Sequence, residues 1–120
     1  MGDCVFCQLV RKELPIRVRY EDEEMIAFDD RTPSAPVHIL IVPKKHIASW
    51  AELEPQDQEL LGRICYRIKL LAEELGLNQS GYRVTVNVGK WGGQIVPHLH
   101  FHLLGGAPLS ENLAEFSHGK

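Results

Sequence analysis

His98-Leu99-His100-Phe101-His102-Leu103 sets three imidazoles at every second position. In an extended strand alternate side chains share a face, so the rings line one side and Leu99, Phe101 and Leu103 the other. Successive rings then stand roughly 7 Å apart along the backbone. A helix would throw His100 away from His98 and scatter the apolar partners, so a strand is expected. Three kinds of surface fit such a face. A plain solvated face is one, and strict alternation of three histidines among five residues argues against it. A metal site is the second, since a His-x-His pair on a strand holds zinc when a third ligand approaches. The third is nucleophilic attack on phosphorus by neutral imidazole, a group that titrates near neutrality.

The residues before this stretch favour the third. Gly92-Gly93-Gln94 is a flexible turn whose N–H groups can approach phosphate oxygens, and Asn87 can add a side-chain amide. Cys4-x-x-Cys7 is a second chemical pair. Its spacing suits metal binding or redox chemistry, and no strand precedes it as a thioredoxin-type motif requires. Metal ligation and two plain thiols remain the alternatives for it. Cys65 falls in a helical pattern, where a free thiol is expected to be a small buried apolar group.

These side chains need elements to position them. Val5, Phe6, Leu9 and Val10 predict a short helix ending near Lys12. Ile16–Tyr20 alternates as a first strand, and Met25–Phe28 makes a second, closing at Asp29-Asp30. Thr32-Pro33-Ser34-Ala35-Pro36 is a loop, and His38–Val42 reads as a buried central strand stopped by Pro43. From Pro55 to Leu75 the apolar residues Leu60, Leu61, Ile64, Cys65, Ile68, Leu71, Ala72 and Leu75 form one helical stripe, and Gly76 is its stop. Tyr82–Val88 is a fourth strand, Gly89–Gly93 breaks it, and His98–Leu104 is the last. One long and one short helix with five strands make an α+β domain with a mainly antiparallel sheet.

With 120 residues there is room for one domain of ordinary size. At 44% hydrophobic and 24% charged the chain has a globular composition. Thirteen basic against sixteen acidic residues give a net charge of −3 with no basic stripe, which disfavours nucleic-acid and anionic-membrane surfaces. Its apolar runs, such as Ile39–Val42, are too short to cross a bilayer. Met1-Gly2-Asp3-Cys4 lacks the pattern of a signal peptide, so a cytoplasmic location is expected.

His98-x-His100-x-His102 followed by Leu103-Leu104 resembles the signature of the histidine triad (HIT) superfamily. Phe6-Cys7, Ala27–Asp30, Ala35–His38, Pro43–Ile47, Gly81–Arg83, Val86-Asn87 and Gly92–Gln94 narrow the likeness to the Hint branch of nucleotide-binding phosphoramidases. It runs from about Val5 to Gly106, so a domain at 1–106 and a C-terminal tail at 107–120 are expected. The resemblance implies a homodimer packed through the long helix and the fourth strand. It implies hydrolysis of purine nucleoside 5′-phosphoramidates without an organic cofactor.

By the family pattern His100 attacks the α-phosphorus, the backbone carbonyl of His98 sets its tautomer, and His102 contacts the phosphate. Asp30 matches the ribose-binding carboxylate, an acceptor of two hydroxyl bonds. Phe6, Leu9 and Phe28 match the walls around the base, with Arg31 standing beside it where the branch has an apolar residue. Asn87, Gly93 and Gln94 match the phosphate contacts. Some bacterial members hold zinc in a closed structural site, at positions matching Cys4, Cys7, His46 and His98. Ile95 stands where the branch commonly has Ser, which removes a hydroxyl donor. A dinucleoside polyphosphate hydrolase and a nucleotide-responsive binding module with vestigial catalysis are the alternatives.

Overall fold

A computed structural model describes residues 4–110 of the chain. The expected residues 1–3 and most of the expected tail, 111–120, lie outside the described part. Five strands form one antiparallel sheet in the order β1-β2-β3-β5-β4: β1 Val18–Glu21, β2 Met25–Asp29, β3 Val37–Pro43, β4 Arg83–Thr85 and β5 Phe101–Gly105. A six-residue helix, α1 (Val5–Val10), and a long one, α2 (Gln58–Glu74), complete the fold. The α+β class and the two helices are as the residue pattern predicts.

The sheet carries a helix on each face. Ala27, Ile39, Ile41, Phe101 and Leu103 point toward the α2 residues Ile64, Ile68, Leu71 and Ala72. Ile26, Phe28, Leu40 and Val42 take the opposite face, where Phe6 and Leu9 of α1 cover them. Both faces of β3 are therefore buried, which is why its sequence is a continuous apolar run. Helix α1 is too short to persist alone in water. Burial of Phe6 and Leu9, worth about 1.5–3 kcal/mol each, holds it in place.

Several boundaries differ from expectation. The first strand begins at Val18, its register with β2 slips between Val18 and Tyr20, and Ile16 packs on the α1 side. The fourth strand is three residues long, since the chain leaves the ladder after Thr85. Helix α2 proper starts at Gln58, after a tight 3-10 turn over Pro55–Asp57 in which Asp57 and Glu54 cap each other. Gly76 ends it at φ 75°, a conformation glycine adopts without strain. Cys65 is exposed, contrary to expectation, because it sits one residue off the Ile64–Ile68 stripe. Among the described residues no helix is long and apolar enough to cross a membrane.

Candidate functional site

Only His102 of the three alternating histidines lies within a strand; β5 begins at Phe101, and His98 and His100 precede it. Neither has a ladder partner: His98 lies in a bend, its N–H donating to the Val96 carbonyl at 2.8 Å, and Leu99 N–H donates to the Ile47 carbonyl at 2.6 Å. The alternation survives: Leu99, Phe101 and Leu103 are in the α2 core, while the Phe6 ring meets both His98 and His100. All three imidazoles are buried, but they serve different neighbours.

Two fixed backbone groups set the protons on the other rings. A carbonyl only accepts, so the His98 carbonyl, 2.7 Å from His100 Nδ1, requires the proton on Nδ1 and leaves the lone pair on Nε2. A backbone amide only donates, and Ser34 N–H lies 3.0 Å from His38 Nδ1, so that ring carries its proton on Nε2. His38 Nε2–H then donates to His102 Nδ1 at 2.9 Å, which places the His102 proton on Nε2. Neighbouring rings 5.1 Å apart thus present opposite chemistry, a lone pair on His100 and an N–H on His102. Asp30 adds a carboxylate oxygen 3.4 Å from His38 Nε2, while its other oxygen accepts from Thr32 N–H at 2.9 Å. His38 is the site residue that sequence reasoning passed over. It stood at the head of an apolar strand, and a histidine entering a run buried on both sides was the available signal.

Beside these rings lies a cavity of about 230 Å³. Phe6, Leu9, Phe28, Asp30 and Arg31 line it, together with Val5, Leu14, Ile16, Asp29, Leu40 and Val96, which were not foreseen. Phe6 joins the cavity to His100, its ring centroid 4.8 Å away, and Asp30 joins it to His38. Asn87, Gly93 and Gln94 do not line it. They close the 87–94 loop on itself: Asn87 Nδ2 donates to the Gly92 carbonyl, Gly93 N–H to Lys90, and Gln94 N–H to Gly89. The Gln94 side chain also pins the loop, donating to the carbonyls of Ala48 and Val96.

Beside Phe6, whose ring meets that of His98, Cys4, Cys7, His46 and His98 converge. Their donor atoms, two Sγ and two Nδ1, lie 3.1–3.8 Å from one another. Zinc bonds of about 2.0–2.3 Å to nitrogen and sulfur give a tetrahedron with edges of about 3.3–3.8 Å, so the cluster fits that ion. The His98 ring is also oriented for it, because Nε2–H donates to the Pro43 carbonyl at 2.8 Å and turns Nδ1 inward. Burial, aided by His46 and His100 against the pull of that carbonyl, holds His98 down at about 4, so the ring is neutral at pH 7. The structure thus assigns the ring of His98 to this cluster and its carbonyl to His100.

The HIT domain family matches residues 11–109 of the chain. Protein HitA of Neisseria gonorrhoeae is 43% identical over 105 residues, 88% of this chain and 97% of its own. A HIT family hydrolase from Legionella pneumophila superposes with a TM-score of 0.89 at 45% identity, over 92% of this chain and 98% of that one. A histidine triad nucleotide-binding protein from Candida albicans superposes at 0.77 with 31% identity, over 91% and 85%. With three alternating histidines leading into the inner strand of this five-stranded sheet, and likeness running almost end to end, the chain belongs to the HIT domain family.

Proposed function

We propose that the protein hydrolyses purine nucleoside 5′-phosphoramidates through a nucleotidyl intermediate on His100. The observation that carries this reading is the pair of opposed tautomers. His100 Nε2 offers a lone pair to phosphorus, and His102 Nε2–H offers a hydrogen bond to an oxygen that gains charge. The base would lie among Phe6, Leu9 and Phe28 and the ribose against Asp30, with Arg31, an exposed residue of the lining, beside the base. Attack forms a P–N bond to His100 as the bond to the leaving nitrogen breaks, and that nitrogen departs as an amine after taking a proton from solvent. Water then cleaves the adduct and releases the nucleoside monophosphate. Asn87 retains a second side-chain N–H to direct at the phosphate, and Gly93 and Gln94 shape the loop that presents it.

Cys4, Cys7, His46 and His98 would hold zinc, which when bound would crosslink α1 to the segment after β3 and the segment before β5. Thiolate ligation of this kind suits a reducing compartment, so we place the protein in the cytoplasm. We also infer a homodimer. The test of the mechanism is His100→Ala, expected to abolish turnover of an adenosine phosphoramidate while leaving AMP affinity within a small factor. Wild-type turnover in that variant sinks the mechanism. A wild type that binds AMP and turns nothing over makes the chain a binding module instead.

A further inference from the structure

The thiols of Cys4 and Cys7 have a second chemical fate besides metal ligation. We propose that they form a peroxide-sensitive latch, whose oxidation to an intramolecular disulfide expels the metal and slackens the nucleotide site. This rests on the metal reading above. The two sulfurs are 3.3 Å apart, and a disulfide needs about 2.0 Å, so closure takes a small movement within one helical turn. Both residues are half-buried rather than sealed, so a small hydroperoxide reaches them. Metal ligation keeps both sulfurs as thiolates, the nucleophilic form.

The step balances with hydrogen peroxide as the oxidant. One thiolate attacks a peroxide oxygen, the O–O bond breaks, and the hydroxide released takes a proton to become water. The second thiolate then attacks the sulfenic sulfur, forming S–S and displacing a second hydroxide, which also takes a proton. Two thiolates are oxidised by two electrons and one peroxide is reduced to two waters. The cluster is left with His46 and His98 alone, and two imidazoles do not complete a structural zinc site.

The effect reaches the site through two connections. Phe6 lies between the two cysteines in sequence, lines the nucleotide cavity and packs on His100 at 4.8 Å. His98 gives its ring to the cluster and its carbonyl to His100 Nδ1. Loss of the cluster therefore loosens one cavity wall and the nucleophile's tautomer lock together. The Ser34–His38–His102 chain stands apart from the cluster and keeps its bonds. Cys65 is exposed on α2 and takes no part.

The test treats zinc-loaded protein with one equivalent of hydrogen peroxide. Zinc should pass to a colorimetric chelator, and the peptide carrying Cys4 and Cys7 should lose two hydrogens. Adenosine phosphoramidate turnover should fall about 10²-fold, the scale of a misplaced reacting group, and AMP should bind several-fold more weakly. A thiol reductant plus zinc should restore both, and Cys65→Ser should respond as wild type does. Zinc retained with both thiols intact overturns the latch, as does zinc released with turnover and AMP affinity unchanged, or a disulfide that uses Cys65. Protein that holds no zinc before peroxide fails at the metal reading, and the latch falls with it. If the phosphoramidate reading fails and nothing turns over, zinc release and AMP affinity still decide the latch.

Discussion

His98 is held neutral by burial, and the sign of the consequence follows from the direction of that shift. In metal-free protein burial holds the folded ring down at about 4, whereas the unfolded ring keeps the ordinary imidazole value of 6.5. Between these the unfolded chain binds the extra proton, so stability is full above 6.5 and falls as the pH drops toward 4. Urea midpoints of chelated protein should therefore decline from pH 7 to pH 5, before most carboxylates titrate. The same protein carrying His98→Asn should lose that part of the slope, and an identical slope in both would refute a buried neutral His98. His38 makes a different prediction, because in the proposed reaction it would act through another ring. His38→Phe removes the bond that fixes His102 Nδ1 as an acceptor, so His102 no longer presents Nε2–H reliably. Turnover should drop about 10²–10³-fold, the cost of one lost donor at a charge-developing oxygen, with AMP affinity little changed. A fall in affinity that accounts for the whole loss would assign His38 to packing instead.

Between residue and molecule stand the elements, and their margins were the hardest part to read. Alternation over 98–103 located the site, because Leu99, Phe101 and Leu103 share one core while the histidines between them face away from it, although only the later residues pair in the ladder. Where the ladder began was not legible, since Leu99 N–H turns to Ile47 and leaves β5 to start at Phe101. The brevity of β4 was hidden in the same way, as Val86 and Asn87 have strand-like neighbours but lie beyond the last bridged pair. The tautomer chain through Ser34 was out of reach, because it joins a loop amide to a ring four residues on and then to β5. Helix α2 was legible from its stripe, and Ile68→Ala at the centre should cost about 2–5 kcal/mol in chemical denaturation. The 87–94 loop gives a sharper test. A Cβ on Gly92 would lie 2.2 Å from the Val88 carbonyl oxygen, a clash only backbone movement relieves. Gly92→Ala should destabilise by about 1–3 kcal/mol and lower turnover with it. A silent substitution would show that the loop is not held as described.

At the scale of the whole molecule, β4 is an edge strand with Val84 outward, and Trp50, Cys65 and Tyr82 join it around a groove on the α2 side. An exposed edge beside apolar side chains is a pairing surface that soluble proteins cover. Light scattering at micromolar concentration should give twice the 13.6 kDa chain mass, and Val84→Glu should shift it toward the monomer. A wild-type mass near 13.6 kDa would remove the homodimer. The sheet order carries one more consequence, for synthesis. Strand β5 is made after all the others yet sits inside the sheet, between β3 and β4. A growing chain must leave that slot open, and β4 has nothing to join until β5 arrives. His98, His100 and His102 travel with it, so the Cys4–Cys7–His46–His98 cluster, the His98–His100 bond and the His38–His102 bond are all completed by a single late insertion. A nascent chain halted before residue 98 would carry none of that chemistry, while β3 still offered a bare apolar edge to the next chain emerging from the ribosome.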